Sequence, residues 1–84
     1  MPWTVYVLTN KKDQCYKGIT ENLGQRLSYH NNGLGHWTKY RGPWRLIYRK
    51  DFENKTEALK HEKFLKSGKG RDAIKNLQKN TNGL

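Results

Sequence analysis

Cysteine is nearly absent from this sequence: Cys15 is the only one in 84 residues. A lone thiol excludes an internal disulfide and a thiolate zinc site within one chain, and it suggests a reducing compartment. No apolar run is long enough for a signal peptide or a membrane-spanning helix, so a cytoplasmic location is expected. Acidic residues are scarce, with 7 Asp and Glu against 17 Lys and Arg, for a net charge of +10. That imbalance favours a polyanionic partner. Nucleic acid fits better than an anionic membrane, because no helical stretch pairs a wholly apolar face with a basic one. Repeats and low-complexity segments are missing as well. Hydrophobic residues make up only 33% of the chain, a shortage offset by the large contact areas of 3 Trp, 5 Tyr and 2 Phe.

A chain this short makes one domain with a modest core. Residues 1–79 are expected to form it, and residues 80–84, without periodicity or apolar mass, to be a disordered tail. "PWTVYVLTN" carries apolar residues on both alternating faces, which suits a strand covered on both sides. "NKKDQ" reads as a turn and "CYKGIT" as a second strand. If residues 9 and 15 face each other, Gly18 comes opposite Tyr6, and Tyr16 lies diagonally across on the same face. "ENLGQRLSYHNNG" is helical, with Leu23, Leu27 and His30 in phase and Gly33 as its stop, although Gly24 costs about 1 kcal/mol relative to Ala. "PWRLIYRKDF" alternates Trp44, Leu46 and Tyr48 against Arg45, Ile47 and Arg49, the pattern of a third strand. Asn54 is a helix cap with Glu57 three residues on, and the helix it opens runs to Ser67. "RDAIKNLQK" forms a last helix with Ala73, Ile74 and Leu77 inward. The order is ββαβαα: an α+β fold on a small three-stranded antiparallel sheet flanked by helices.

Glu62 is the anomaly. It lies three residues from both Leu59 and Leu65 and four from Ala58, on the stripe that should face the core. A carboxylate there is costly unless it is paired, hydrogen-bonded or bound to a metal. Cutting a phosphodiester calls for such a group: Mg²⁺ keeps several waters and often needs only one or two protein carboxylates. A tyrosine can take the water's proton if positive charge lowers its pKa, and Arg26 can grip phosphate with two donors of its fork. Each residue also has a purely structural explanation. Lys66, four residues on, is an obvious partner for Glu62. Tyr6 and Tyr16 can be core, Arg26 can cover apolar surface, and His30 can stabilise a helix end. Composition and periodicity alone support a basic nucleic-acid-binding domain.

The ordered set of motifs goes further. "VYVL", nine residues, then "YKG" resembles the two short strand motifs of the GIY-YIG nucleases. An Arg in the following helix, a His four residues later and a Glu in a later helix keep that family's order. "TEAL" with Glu62 is similar to the metal-binding helix in the nuclease domain of the bacterial excinuclease. "PWRLIY" and "EKFLKSGKGR" resemble small stand-alone members. The resemblance, which spans residues 3 to 75, implies roles for matched positions. Tyr6 would be the general base, assisted by His30. Tyr16 would position water or phosphate, Gly18 would allow close backbone approach, Arg26 would bind phosphate, and Glu62 would hold one Mg²⁺ or Mn²⁺. DNA is the implied substrate, branched or damaged rather than sequence-defined, with a place in repair or recombination.

Three positions depart from the pattern. Lys17 replaces the apolar middle residue of the second motif and is expected on the opposite face. Ile19 stands where several members carry a lysine. Ile74 falls roughly where many catalytic members have an asparagine. The basic stretch is expected to bind phosphates without sequence preference, through Arg26, Lys39, Arg41, Lys66, Lys69 and Arg71, with Trp37 and Tyr40 stacking on unpaired bases. A non-catalytic nucleic-acid-binding domain on the same scaffold is the alternative. Everything rests on one pocket receiving both hairpin phenols, Arg26 and Glu62.

Overall fold

The computed structural model describes residues 2–35 and 38–82, the side chains of residues 79–82 excepted. β1 (Trp3–Thr9) and β2 (Cys15–Thr20) form an antiparallel hairpin, α1 (Leu23–Asn31) follows, and β3 (Arg45–Phe52) pairs antiparallel with the other side of β1. α2 (Lys55–Leu65) and α3 (Gly68–Asn82) complete the ββαβαα order. The sheet order is β2-β1-β3, so β1 is central and β2 is an edge. Among the described residues, no helix is long and apolar enough to cross a membrane.

The hairpin has the register read from its sequence: Thr9 faces Cys15 and Tyr6 faces Gly18. The central strand is covered on both faces, as its apolar residues require. Val5 and Val7 pack with Ala58, Leu65 and Ile74 of α2 and α3, whereas Tyr6 and Leu8 pack with Trp44, Leu23 and Leu27. Asn22 and Asn54 cap α1 and α2 by accepting from the amides of Gln25 and Glu57, an interaction worth about 1 kcal/mol in typical helices.

Three expectations need correction. The alternation of "PWRLIYRKDF" is broken by a bulge, because Val7 pairs with Tyr48 but Leu8 pairs with Leu46. The extra residue, Ile47, leaves Leu46 on the Tyr6 face and sends Tyr48 to the α2 face, where its hydroxyl lies 2.7 Å from His61 Nε2. Leu59, placed inward by periodicity, is 45% exposed, and Ala73 is exposed as well. The inner face of α3 instead carries Ile74 and Gln78, whose Nε2 donates to Thr9 Oγ1 and the Asp13 carbonyl. Finally, α3 starts at Gly68 rather than Arg71 and extends past Lys79. Ser67 accepts from the Gly70 amide across the turn.

Gly70 permits that start. A Cβ at this position would come within 2.5 Å of Leu65 Cα and press on the Phe64 carbonyl. Both are backbone atoms that cannot swing away. Gly70→Ala is therefore expected to destabilise the fold by about 1–3 kcal/mol, despite alanine's better helix propensity, and chemical denaturation will measure it.

Candidate active site

Gly18 determines where the Tyr6 ring can lie. With no side chain on β2 at this point, the ring crosses the strand; a Cβ on Gly18 would stand 2.6 Å from the Tyr6 hydroxyl oxygen. The ring is 1% exposed, and its hydroxyl is 3.0 Å from His30 Nε2. His30 is buried at the end of α1, and its Nδ1 lies 2.8 Å from Thr38 Oγ1. This gives a chain of three polar groups, Thr38, His30 and Tyr6. The imidazole tautomer decides which partner donates at each step. Thr38 is itself buried, and its carbonyl accepts from Trp44 Nε1 at 3.1 Å. That bond fixes the loop that orients His30.

Tyr16 closes this cluster from β2. Its ring centroid is 4.5 Å from that of His30 and 6.2 Å from that of Tyr6. Arg26 stands one turn earlier on α1 than His30, with its guanidinium 4.5 Å from the centroid of the Tyr29 ring. Its charge acts on the Tyr6 hydroxyl, yet its Nε is buried and has no hydrogen-bond partner. An orphaned buried donor is uncommon and marks a place where a further acceptor would fit. Arg26 also lines an open cleft of about 530 Å³ with Thr20, Asn22, Gln25 and Tyr29.

Glu62 comes from α2, which packs on the other face of the sheet. Its side chain is only 18% exposed, and its charge reaches Tyr6. Lys66 Nζ sits 3.4 Å from Oε1, the helical pairing anticipated from the sequence. The second carboxylate oxygen has no partner among the described residues. Among those residues, no cluster of three or more His, Cys, Asp or Glu side chains gathers. A cation here would thus rely on one carboxylate and on oxygens from water or phosphate, a donor set that suits Mg²⁺ or Mn²⁺.

Burial dominates the electrostatics. It pushes the Tyr6 phenol up to about 12, with the Arg26 guanidinium opposing and the charges of Tyr16 and Glu62 adding to the rise. The lowered tyrosine pKa that direct proton abstraction requires is therefore absent from the protein alone. His30 moves the other way: burial, then the nearby Arg26 charge, hold it below its ordinary 6.5. It is neutral at pH 7 and able to accept a proton from Tyr6. His61 is lowered by burial and Lys50 in the same manner. For both histidines the unfolded chain takes up its proton first. Stability is full above the unfolded value of 6.5, falls as the pH drops through it, and levels off once the folded forms protonate. Melting temperatures between about pH 5 and pH 8 should show that direction, the histidine reference value being about 6.5.

Tyr6, Tyr16 and His30 thus meet beside Gly18, with the charges of Arg26 and Glu62 acting on the Tyr6 hydroxyl. The remaining candidates lie elsewhere. Lys39, Tyr40 and Arg41 occupy the α1–β3 loop, and Trp37 lies outside the described residues. Tyr40 is 92% exposed at φ 66°, with Lys39 Nζ 5.1 Å from its ring centroid. A cleft of about 380 Å³, lined by His30, Thr38, Tyr40 and Gly42 among others, joins this loop to the buried imidazole. Lys66, Lys69 and Arg71 are exposed around the α2–α3 turn. Ile19 packs in the core beside Val5, and Ile74 is 2% exposed. Neither can stand in for the polar residue that the family pattern carries there. Thr38, the buried partner of His30, is the residue of this cluster that sequence reasoning misses, because nothing in a loop of mixed polar residues marks one hydroxyl as buried.

The hairpin, the β2-β1-β3 sheet and the glutamate-bearing helix α2 make a small α+β domain of ββαβαα order. Residues 2–78 match the GIY-YIG catalytic domain, and the chain belongs to the GIY-YIG family. A UPF0213 protein of Clostridium perfringens is 46% identical over 63 residues, which cover 74% of this chain and 68% of the relative. Another, from Oceanobacillus iheyensis, is 42% identical over 59 residues, 69% of each chain. The solution NMR structure of a UPF0213 protein from Bacillus halodurans matches at a TM-score of 0.56 and 32% identity, covering 92% of this chain and 85% of that one. Nucleic-acid binding is what a domain of a nuclease family implies.

Proposed function

We propose that this chain is an endonuclease that hydrolyses DNA phosphodiester bonds with one Mg²⁺ or Mn²⁺ held at Glu62. The observation that carries this reading is the buried Tyr6–His30 hydrogen bond, 3.0 Å long, with Arg26 and Glu62 both within electrostatic reach of the hydroxyl. A tyrosine near pKa 12 is a poor base by itself. Paired with a neutral imidazole it can act in relay: the Tyr6 oxygen takes a proton from the attacking water as its own proton passes to His30 Nε2. Thr38 keeps the imidazole aligned at its Nδ1. Arg26, with an unsatisfied Nε, binds the phosphate and offsets its growing charge. Tyr16 fills the side of the pocket beside both rings and orients what enters it. Bound to the open oxygen of Glu62, the cation would supply Lewis-acid polarisation of the phosphate. Branched or damaged DNA suits a basic surface that contacts phosphates rather than bases, which puts repair or recombination before sequence-specific cutting. A cytoplasmic setting fits the free Cys15.

A second reading, a non-catalytic nucleic-acid-binding domain, draws support from the high Tyr6 pKa and from the apolar residues at positions 19 and 74. Flap, fork and plain duplex DNA incubated with the purified protein and Mg²⁺, Mn²⁺ or chelator separate the two. Metal-dependent cleavage lost in Glu62→Ala and Tyr6→Phe is the expected outcome. Salt-sensitive binding without cleavage would favour the second reading, and cleavage indifferent to both substitutions would trace to a contaminant.

A further inference from the structure

One side chain ties the β1–β2 turn to the α1–β3 loop. Asn10 is buried and uses both ends of its amide. Its Oδ1 accepts from the backbone amides of Lys12 and Gln14 at 3.0 and 2.9 Å. Its Nδ2 donates to Gln14 Oε1 at 2.8 Å and to the Arg41 carbonyl at 2.9 Å. Asn10 thus shapes the turn and pins the loop at Arg41. The loop is pinned again at Thr38, by His30 and by the Trp44 indole. Tyr40 sits between these two anchors, so its exposed ring projects from a backbone fixed on both sides. That backbone lies at φ 66°, a region that bulky side chains rarely adopt. Among the described residues, Asp13 in the facing turn is the other non-glycine residue at positive φ, 59°. Unfavourable backbone of this kind persists where the surrounding structure enforces it, and it gathers at ligand sites.

Tyr40 also stands between two clefts. One, of about 230 Å³, opens between turn and loop and is lined by Asn10, Lys11, Lys12 and Arg41. The other, of about 380 Å³, reaches His30 and Thr38. Tyr40 and Gly42 line both. Lys11 and Lys12 are exposed, and Lys39 Nζ is 5.1 Å from the Tyr40 ring centroid. An uncovered aromatic ring among cations is the arrangement that takes an unpaired strand, because any base can stack on the ring while lysines meet the phosphates. We propose that Tyr40 and the lysine-lined cleft beyond it carry an unpaired DNA strand away from His30, with a base stacked on Tyr40 and phosphates held by Lys11 and Lys12. The path deepens the endonuclease reading, on which its start at the reacting phosphate rests. It supplies a physical reason for preferring branched DNA: a fork or flap has an unpaired arm to lay across Tyr40, and a continuous duplex has none.

Binding measured in chelator isolates this inference from cleavage. The full chain is titrated with a short oligothymidylate and with a blunt duplex of the same length, over a series of salt concentrations. Tyr40→Asn removes the ring and keeps a residue suited to positive φ. It should weaken oligothymidylate binding by about 5- to 150-fold, the loss of one stacked base, and leave duplex binding unchanged. Tyr40→Phe should bind the single strand as the wild type does. Lys11→Gln and Lys12→Gln should each lower the slope of log K against log salt on the single strand by about 0.7, the loss of one phosphate contact. Lys60→Gln, the same charge change on α2 next to Glu57, should leave that slope at the wild-type value. A Tyr40→Asn loss equal on both substrates, or absent on the single strand, overturns the path. A wild type that does not bind the oligothymidylate overturns it too, as do lysine slopes matched by Lys60→Gln. Melting temperatures confirm that each variant is folded. Absence of metal-supported cleavage in the wild type would count against the endonuclease reading while leaving these affinities to decide the strand path.

Discussion

Glu62→Ala should reduce metal-supported cleavage of DNA on the order of a thousandfold or more, with the protein still folded and still bound to DNA. A cation that polarises the phosphate contributes several kcal/mol to the transition state, and each 1.36 kcal/mol is about tenfold in rate. No second cluster of acidic or imidazole ligands exists among the described residues to take over the ion. The stability cost should be small, because the substitution removes a partly exposed ion pair with Lys66 at 3.4 Å, a kind worth about 0–1 kcal/mol. That combination, abolished chemistry with an unchanged melting temperature, separates a metal ligand from a structural acid. A drop in stability of several kcal/mol would instead assign Glu62 to the architecture. Removing its charge also leaves Lys66 without its carboxylate partner, so binding in chelator should hold or tighten.

Tyr6→Phe is the second large effect. The ring keeps its place over Gly18, and what disappears is one oxygen. If that oxygen passes the water's proton on to His30, cleavage should fall by about 10²–10⁴-fold, the usual contribution of general acid–base catalysis. The substitution also leaves a buried imidazole nitrogen without its partner, which costs about 1–3 kcal/mol. A thermal shift is therefore expected here, unlike for Glu62→Ala. The pH profile adds a readout that folding alone would not move. Activity that depends on neutral His30 should decline at acid pH, at a value below the ordinary 6.5 because burial and Arg26 disfavour the imidazolium. His30→Gln should abolish that acid limb along with most of the rate. Retention of wild-type cleavage by Tyr6→Phe would remove the relay and leave Arg26 and Glu62 as the entire machinery.

The register of the hairpin is legible in the sequence because a gap has to be filled. Tyr6 needs a neighbour without a side chain, and Gly18 in "YKG" is the residue that provides one, so strand pairing and site come from the same few letters. The cap at Asn54 is legible for a comparable reason, as it satisfies an amide that the helix leaves unpaired. The β3 bulge is hidden. "WRLIY" alternates well enough to suggest one uninterrupted strand, and only the competition between two cores for Leu46 and Tyr48 shows where the extra residue sits. Gly68 and Gly70 read as a break, yet both lie in α3, and tight packing against the end of α2 requires a glycine at position 70. Tertiary packing overrides local propensity there. Lys17 pairs with Val7 and so lies opposite the Tyr6 face, where alternation along β2 places it. His61 is equally hard to read, since its partner Tyr48 changes faces at the bulge.

The central claim is that Glu62, carried by the helix on the other face of the sheet, is within electrostatic reach of the Tyr6 hydroxyl and acts with it on one phosphate. Mn²⁺ titrated into the isotopically labelled full chain tests it directly, because the ion broadens resonances of nearby nuclei. The account predicts that low Mn²⁺ broadens signals of Glu62, Tyr6, Tyr16 and His30 together, and that Glu62→Ala removes the effect from all of them at once. Broadening centred on the surface acids Asp51 or Asp72, or persistence at Tyr6 after Glu62 is replaced, would contradict it.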